Sequence, residues 1–229
     1  TTALPAGFIN QVNSLYPEKQ NVKDADFSKN SDLRVVGKNG AEVWVTYIGD
    51  GNFYLNNMNT YNSLMYYNYI ESELSSMNSL TPATLHMTML LPNTNQMYCP
   101  AGLKLQLLYW DGNQYSKTFP EGTRIGFAVA REGYKCNGAP ITDASAYSFK
   151  RIIGSTLYPQ KDGDVRGNYY STPQLNQVGK SQAVTRWIED YGYCVTGLDI
   201  RPIGNAKSDY DFNDVLIAVS SSPIPDAIQ

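Results

Sequence analysis

Beyond Pro17 the chain carries no long stretch with apolar residues at helical spacing; they recur at alternate positions in short runs closed by turn residues. A chain patterned this way buries its apolar side by pairing strands into sheets and stacking the sheets. The run 41–49, AEVWVTYIG, sets Val43, Val45 and Tyr47 against Trp44, Thr46 and Ile48. GLKLQLLYW, residues 102–110, places Leu103, Leu105, Leu107 and Tyr109 on one face, and TRIGFAVARE offers Ile125, Phe127 and Val129. YCVTGLDI and DVLIAVS complete the strands. The Asp-Gly-Asn at Asp111, Gly112 and Asn113 predicts a tight hairpin into QYSKTF, and a second, at Asp50, Gly51 and Asn52, closes the strand that holds Trp44. One helix is expected, where LPAGFINQVNSLYP spaces Phe8, Val12 and Leu15 before Pro17 stops it. The pattern predicts a mainly all-β fold: an antiparallel, jelly-roll-like β-sandwich with a short N-terminal helix.

A chain of 229 residues and 25.5 kDa can close one substantial core, so a single domain is expected over 1–229. Residues 1–30 form its helix and lead-in, 158–167 a surface loop, and 223–229 a tail. Charged residues make up only 17% of the chain against 42% hydrophobic, which describes a globular protein rather than a disordered one. A net charge of -3 provides no cationic excess for a nucleic-acid backbone, so nucleic acid is excluded as a partner. No run approaches the roughly 18 apolar residues of a membrane helix. TTALPAGF lacks the regions of a signal peptide, so an exported form would already have lost its leader. Eighteen tyrosines, abundant Asn, Ser and Thr and few charges have the character of an exported or surface β-protein. Cys99, Cys136 and Cys194 allow at most one internal disulfide and no zinc knuckle.

The segment SDYDFNDVLIAVS, 208–220, drives acidic residues into the start of a core strand. In an extended conformation Asp209, Asp211 and Asn213 would share a face with Val215, Ile217 and Val219, with Phe212, Leu216 and Ala218 opposite. Carboxylates crowded at a core rim repel one another, and burial adds to the cost unless a cation or strong donors compensate. If YCVTGLDI pairs antiparallel with the last strand, Asp199 joins Asp209, Asp211 and Asp214. Oxygen ligands at alternate positions suit a hard divalent ion such as calcium, which takes about six to eight oxygens. Carbonyls near Asn205 and Lys207 would add to them. The D-x-D-x-N start is not an EF-hand, because Asp214 stands where that loop needs glycine and Ser220 where it needs glutamate. Two readings stand at this point: a solvated acidic turn held by Arg201 and Lys207, or a calcium site.

SDYDFNDVLIAVSSSP resembles the C-terminal signature of the LruC-type domain, a bacterial secreted or surface family of unassigned molecular function. Further segments are similar in the same order: SLYPEKQNV, AEVWVTYIGDG, YNSLMYYNY, TFPEGTRIGFAVAREGY and YYSTPQLN. The resemblance covers nearly the whole chain. It implies a β-sandwich and a calcium-type site at Asp209, Asp211, Asn213 and Asp214, and it implies no reaction. Two positions depart from the family pattern. Gly197, Leu198, Asp199 and Ile200 stand where members commonly carry Gly-Phe-Glu-Asp, and Met65 replaces a glycine in the tyrosine-rich run.

Nucleophilic catalysis would have to recruit His86, the one histidine, which reads as an exposed strand residue sharing a face with Thr84 and Thr88. The carboxylate pairs Glu71 with Glu73 and Asp162 with Asp164 read as solvated acids, and no phosphate-cradling glycine loop is present. Tyr61, Asn62, Tyr66 and Tyr67, with Tyr69, would form a flat platform for a sugar or peptide, or else pack half-buried in the sandwich. The sequence therefore leads to a non-enzymatic, exported cell-surface module, stabilised by calcium and structural or adhesive in role. A carbohydrate- or peptide-binding module using the tyrosines is the alternative, with a glycan or protein at the cell surface as partner.

Overall fold

The computed structural model describes residues 1–49, 62–75, 80–95, 99–131, 168–201, 203–206, 208–222 and 227–229. The protein is mainly β, with antiparallel sheets in a sandwich-like arrangement and, among the described residues, one α-helix. The strands are β1 (Leu33–Arg34), β2 (Ala41–Gly49), β3 (Ser63–Ile70), β4 (Thr88–Leu91), β5 (Lys104–Gln106), β6 (Tyr109–Trp110) and β7 (Tyr115–Ser116). They continue with β8 (Thr118–Phe119), β9 (Thr123–Ala130), β10 (Asn168–Tyr170), β11 (Ala183–Ile188), β12 (Tyr193–Leu198) and β13 (Val215–Ser222). One sheet runs β1-β9-β3-β4 with β10 also on β9; the other runs β11-β12-β13-β2-β5 with β8 also on β2.

The alternation read from the sequence sorts the side chains onto the two faces. Val43, Val45 and Tyr47 of β2 meet Ile125, Phe127 and Val129 of β9 in the core between the sheets, together with Val215, Ile217 and Val219. The opposite face of β2 turns Ile48 toward a second apolar cluster, where Phe8 and Val12 of helix α1 (Ala6–Leu15) lie against Val184, Val195 and Ala218. A ten-residue helix is shorter than the roughly 12–15 residues that hold together alone in water, so this burial is what keeps α1 folded. A third cluster covers the outer face of the first sheet and contains Met65, Tyr67, Tyr69, Ala128 and Tyr170.

Two expectations change. The run 102–110 is not one strand: β5 pairs with β2, the chain leaves the sheet, and β6 pairs only with β7. Side chains of β3 take the backbone groups that the sheet gives up. The Tyr66 hydroxyl accepts from Leu108 N–H at 2.9 Å and donates to the Leu108 carbonyl at 3.0 Å. The Asn68 amide bonds both the N–H and the carbonyl of Trp110 at 2.9 Å. The apolar facing survives the break, with Leu107 buried and Leu103, Leu105 and Tyr109 packed against the core. Of the expected tail, the described residues 227–229 pack against β1. Ile228 is 1% exposed and bridges Val35, while Arg34 and Gln229 exchange two backbone hydrogen bonds.

Between β6 and β7 the expected turn forms. Asp111 Oδ1 accepts from the N–H groups of Asn113 and Gln114 at 2.7 and 2.8 Å, which lowers its carboxyl pKa.

Candidate functional site: an acidic rim at the end of the last strand pair

β12 and β13 pair antiparallel with Leu198 opposite Val215, which sets Asp199 beside Asp214 one step past the final rung. This is the juxtaposition expected from the sequence. The segment before β13 is not extended, however. Tyr210 and Phe212 adopt left-handed backbone conformations, with φ of 57° and 53°, so Asp209, Asp211 and Asn213 do not continue the face of Val215. Packing holds this conformation in place: Phe212 is fully buried and stacks on Phe27 at 5.0 Å. The Tyr210 carbonyl accepts from Val22 N–H, and its hydroxyl accepts from Gly204 N–H.

Gly197 lets the loop come this close. A Cβ there would lie 2.1 Å from the Phe212 carbonyl oxygen and 2.7 Å from the Tyr16 ring. The Tyr16 hydroxyl, itself buried, is within bonding distance of the carbonyls of Val184 and Val195, at 2.9 and 2.8 Å. Gln182 ties the other side, accepting from Ile203 N–H and donating to the Arg201 carbonyl.

The two buried acids, Asp199 and Asp211, and the half-buried Asp214 are each met by donors. Asp199, 1% exposed, accepts from Arg201 N–H at 2.8 Å and from the Ser208 hydroxyl at 2.7 Å. Asp214 accepts from Ile200 N–H at 2.9 Å. Asp211, 2% exposed, accepts from Lys19 N–H at 2.9 Å and more weakly from Asn213 N–H. Asn213 donates to Glu18 at 3.1 Å, which adds a further carboxylate to the rim. Asp209 is exposed.

These donors do not cancel the repulsion. Burial, opposed by the Lys19 N–H bond and reinforced by the charges of Asp209 and Glu18, lifts Asp211 to a pKa of about 6. Burial and the neighbouring Asp199 push Asp214 well above the usual carboxylate range. Asp199 is raised by its own burial, against the bonds from Ser208 and Arg201. The ion pairs formed among the described residues, Lys29 with Asp26 and Arg124 with Glu71, involve none of these acids. Lys207 lies outside the described residues.

The donor set is oxygen throughout, which suits calcium and not a softer ion. Among the described residues, no three carboxylate, histidine or cysteine side chains gather into a group able to hold a metal ion. The four-carboxylate cluster expected from the sequence is thus a close pair, Asp199 with Asp214, with the remaining acids on the adjoining turn.

The tyrosine-rich strand is interior. Asn62, Tyr66, Tyr67 and Tyr69 are 2%, 3%, 1% and 2% exposed, so none offers a flat face to solvent. Tyr61 lies outside the described residues. Met65, where a glycine was expected by resemblance, is fully buried in the third cluster. His86 is exposed as expected but lies before β4 and not in a strand; its ring stacks on Trp110 at 4.3 Å, and Nε2 pairs with the Tyr115 hydroxyl at 2.7 Å. Cys194 is a buried free thiol, raised to a pKa of about 11 by burial, and Cys136 lies outside the described residues.

Glu18, Lys19, Gln182 and Ser208 entered the rim without a signal in the sequence. They reach it through loops whose paths only the packed structure defines. No family model, curated protein or solved structure matches the chain.

Proposed function

We propose that this chain is a non-enzymatic module of the exported or cell-surface type, structural or adhesive in role, whose acidic rim is stiffened by calcium. The observation that carries the reading is the Asp199–Asp214 pair. Two carboxyls stand side by side at a core edge with raised pKa values, and the ion pairs among described residues lie elsewhere. A hard cation at that point would offset the repulsion and tie the turn 208–214 to the end of β12. Asp199 and Asp214 would hold it, with Asp209, Asp211 and Asn213 on the adjoining turn. The resemblance of 208–223 to the LruC-type signature supports the same reading.

A non-enzymatic role is supported by His86. Its ring is stacked on Trp110 and its Nε2 is engaged by a tyrosine hydroxyl, with no serine or cysteine among its hydrogen-bond partners in the described residues. The alternative platform at Tyr66 and Tyr67 gains no support from their burial.

The deciding experiment is thermal melting of the purified protein with calcium, with magnesium and with a chelator. A cation held at 100 times its Kd adds about 2.7 kcal/mol, a readily measured rise in Tm. A Tm indifferent to calcium would remove the ion from the reading and leave a rim held by backbone donors alone.

A further inference from the structure

Trp187 stands on the core-facing side of its sheet and is nevertheless open to solvent. Its register partner across β11 and β12 is Cys194, which is buried between the sheets, so Trp187 points to the same side. The indole is 44% exposed all the same. On the other sheet the border here is made by β1, only two residues long, and by Ile228 and Gln229 paired alongside it, and they leave the indole unroofed. The gap is a cleft of about 670 Å³, within the range of small-ligand sites, bordered by Trp187 and Thr185 on one side and by Asp32, Arg34 and Arg124 on the other.

Charge in the cleft is unbalanced. Arg34 and Arg124 are directly opposite each other across β1 and β9, an arrangement in which like charges repel. Arg124 is neutralised, donating to Glu71 Oε2 at 2.6 Å and to the Asp32 carbonyl at 2.9 Å. Arg34 is exposed and forms no ion pair among the described residues. The Asp32 carboxyl does not serve it, because its Oδ2 takes the hydroxyls of Tyr69 and Thr172 and its Oδ1 is sealed from solvent.

We infer that this cleft is a binding site for an acidic sugar, a pyranose ring carrying a carboxylate. The C–H face of the ring would stack on the Trp187 indole, and the carboxylate would take the fork of the Arg34 guanidinium. A sugar is favoured over an acidic peptide because the flank of β11 is already engaged. Arg186 donates to the Lys23 carbonyl, the Ser31 hydroxyl bonds the Ala183 carbonyl, and Ser181 N–H bonds the Phe27 carbonyl. The segment that holds Lys23, Phe27 and Ser31 thus lies along the start of β11, where a peptide would have to add to the sheet.

The site does not involve the acidic rim, so binding is measured by calorimetry with chelator present, and a failed calcium reading leaves the result intact. The probes are sialyllactose and a galacturonate trimer, with lactose and cellotriose as neutral counterparts and a short oligoglutamate as the peptide. An acidic sugar is expected to bind, the neutral sugars much less. Trp187→Ala should abolish binding, and Arg34→Gln should weaken it by about tenfold or more. Both residues are exposed, so their variants should melt with the parent protein. Binding that survives both substitutions, equal binding of neutral sugars, binding of the oligoglutamate alone, or no binding to any probe overturns the inference.

Discussion

Asp199 and Asp214 stand side by side at the open end of β12 and β13, one step beyond the rung formed by Leu198 and Val215. Burial raises the proton affinity of both, and the Asp199 charge raises that of Asp214 further. Replacing Asp214 by Asn keeps an oxygen for Ile200 N–H and removes one of the two charges. In chelator, Asp214→Asn is expected to melt higher than the parent at neutral pH; in calcium it should melt lower, because the ion's increment is lost. Differential scanning calorimetry under the two conditions reads both signs.

Asp32 makes a separate prediction for pH. Burial raises its carboxyl pKa, against the hydroxyls of Ser171, Thr172 and Tyr69 and the charge of Arg124. The fold therefore favours the protonated acid. That contribution is fully present below the unfolded carboxyl pKa, about 3.9, and is lost as pH rises through the folded value. Asp32→Asn keeps an acceptor for the two hydroxyls and cannot ionise. Its stability relative to the parent should rise steadily from pH 4 toward neutrality, measured as the difference in urea midpoints; a constant difference would refute the assignment.

Gly197→Ala forces a methyl group onto the Phe212 carbonyl, where no flexible side chain can yield. A loss of about 1–3 kcal/mol is expected, the usual range for overpacking. Because the loop 208–214 must lift, the calcium increment should shrink in the same variant. Chemical denaturation and the calcium titration together separate this effect from a general loss of stability.

Tyr67 separates a core role from a surface one. Its ring is 1% exposed, and its hydroxyl pairs with Thr172 Oγ1 at 2.8 Å. Tyr67→Ala should cost about 3–5 kcal/mol, as large aromatic truncations in cores do. Tyr67→Phe should cost roughly 1 kcal/mol from the lost hydrogen bond. An unchanged melting temperature for the alanine variant would instead place this tyrosine at the surface.

Much of the sheet structure was legible along the chain. Alternation assigns β2, β9, β12 and β13, and the spacing of Phe8 and Val12 assigns α1, because the side-chain periods of strand and helix are local properties of the backbone. The hairpin of β6 and β7 was equally local, since Asp111 folds its own turn. Asp199 and Asp214 could be paired from the sequence as soon as β12 and β13 were taken as antiparallel neighbours.

What required the tertiary structure was every feature set by one element meeting another distant in sequence. Tyr67 and Tyr69 alternate as a surface platform would, yet their outer face is covered by Leu85, Tyr170 and Leu175, while Tyr66 turns the other way into the core between the sheets. The acidic turn leaves the extended form because Phe212 finds its place against Phe27 and beside Gly197. The run 102–110 breaks because Tyr66 and Asn68 offer its backbone a second set of partners. The period of a strand is written in the residues that form it. Which of its faces is left uncovered depends on the length and position of remote segments: Trp187 stays exposed beside the two-residue β1 and the Ile228–Gln229 segment paired with it.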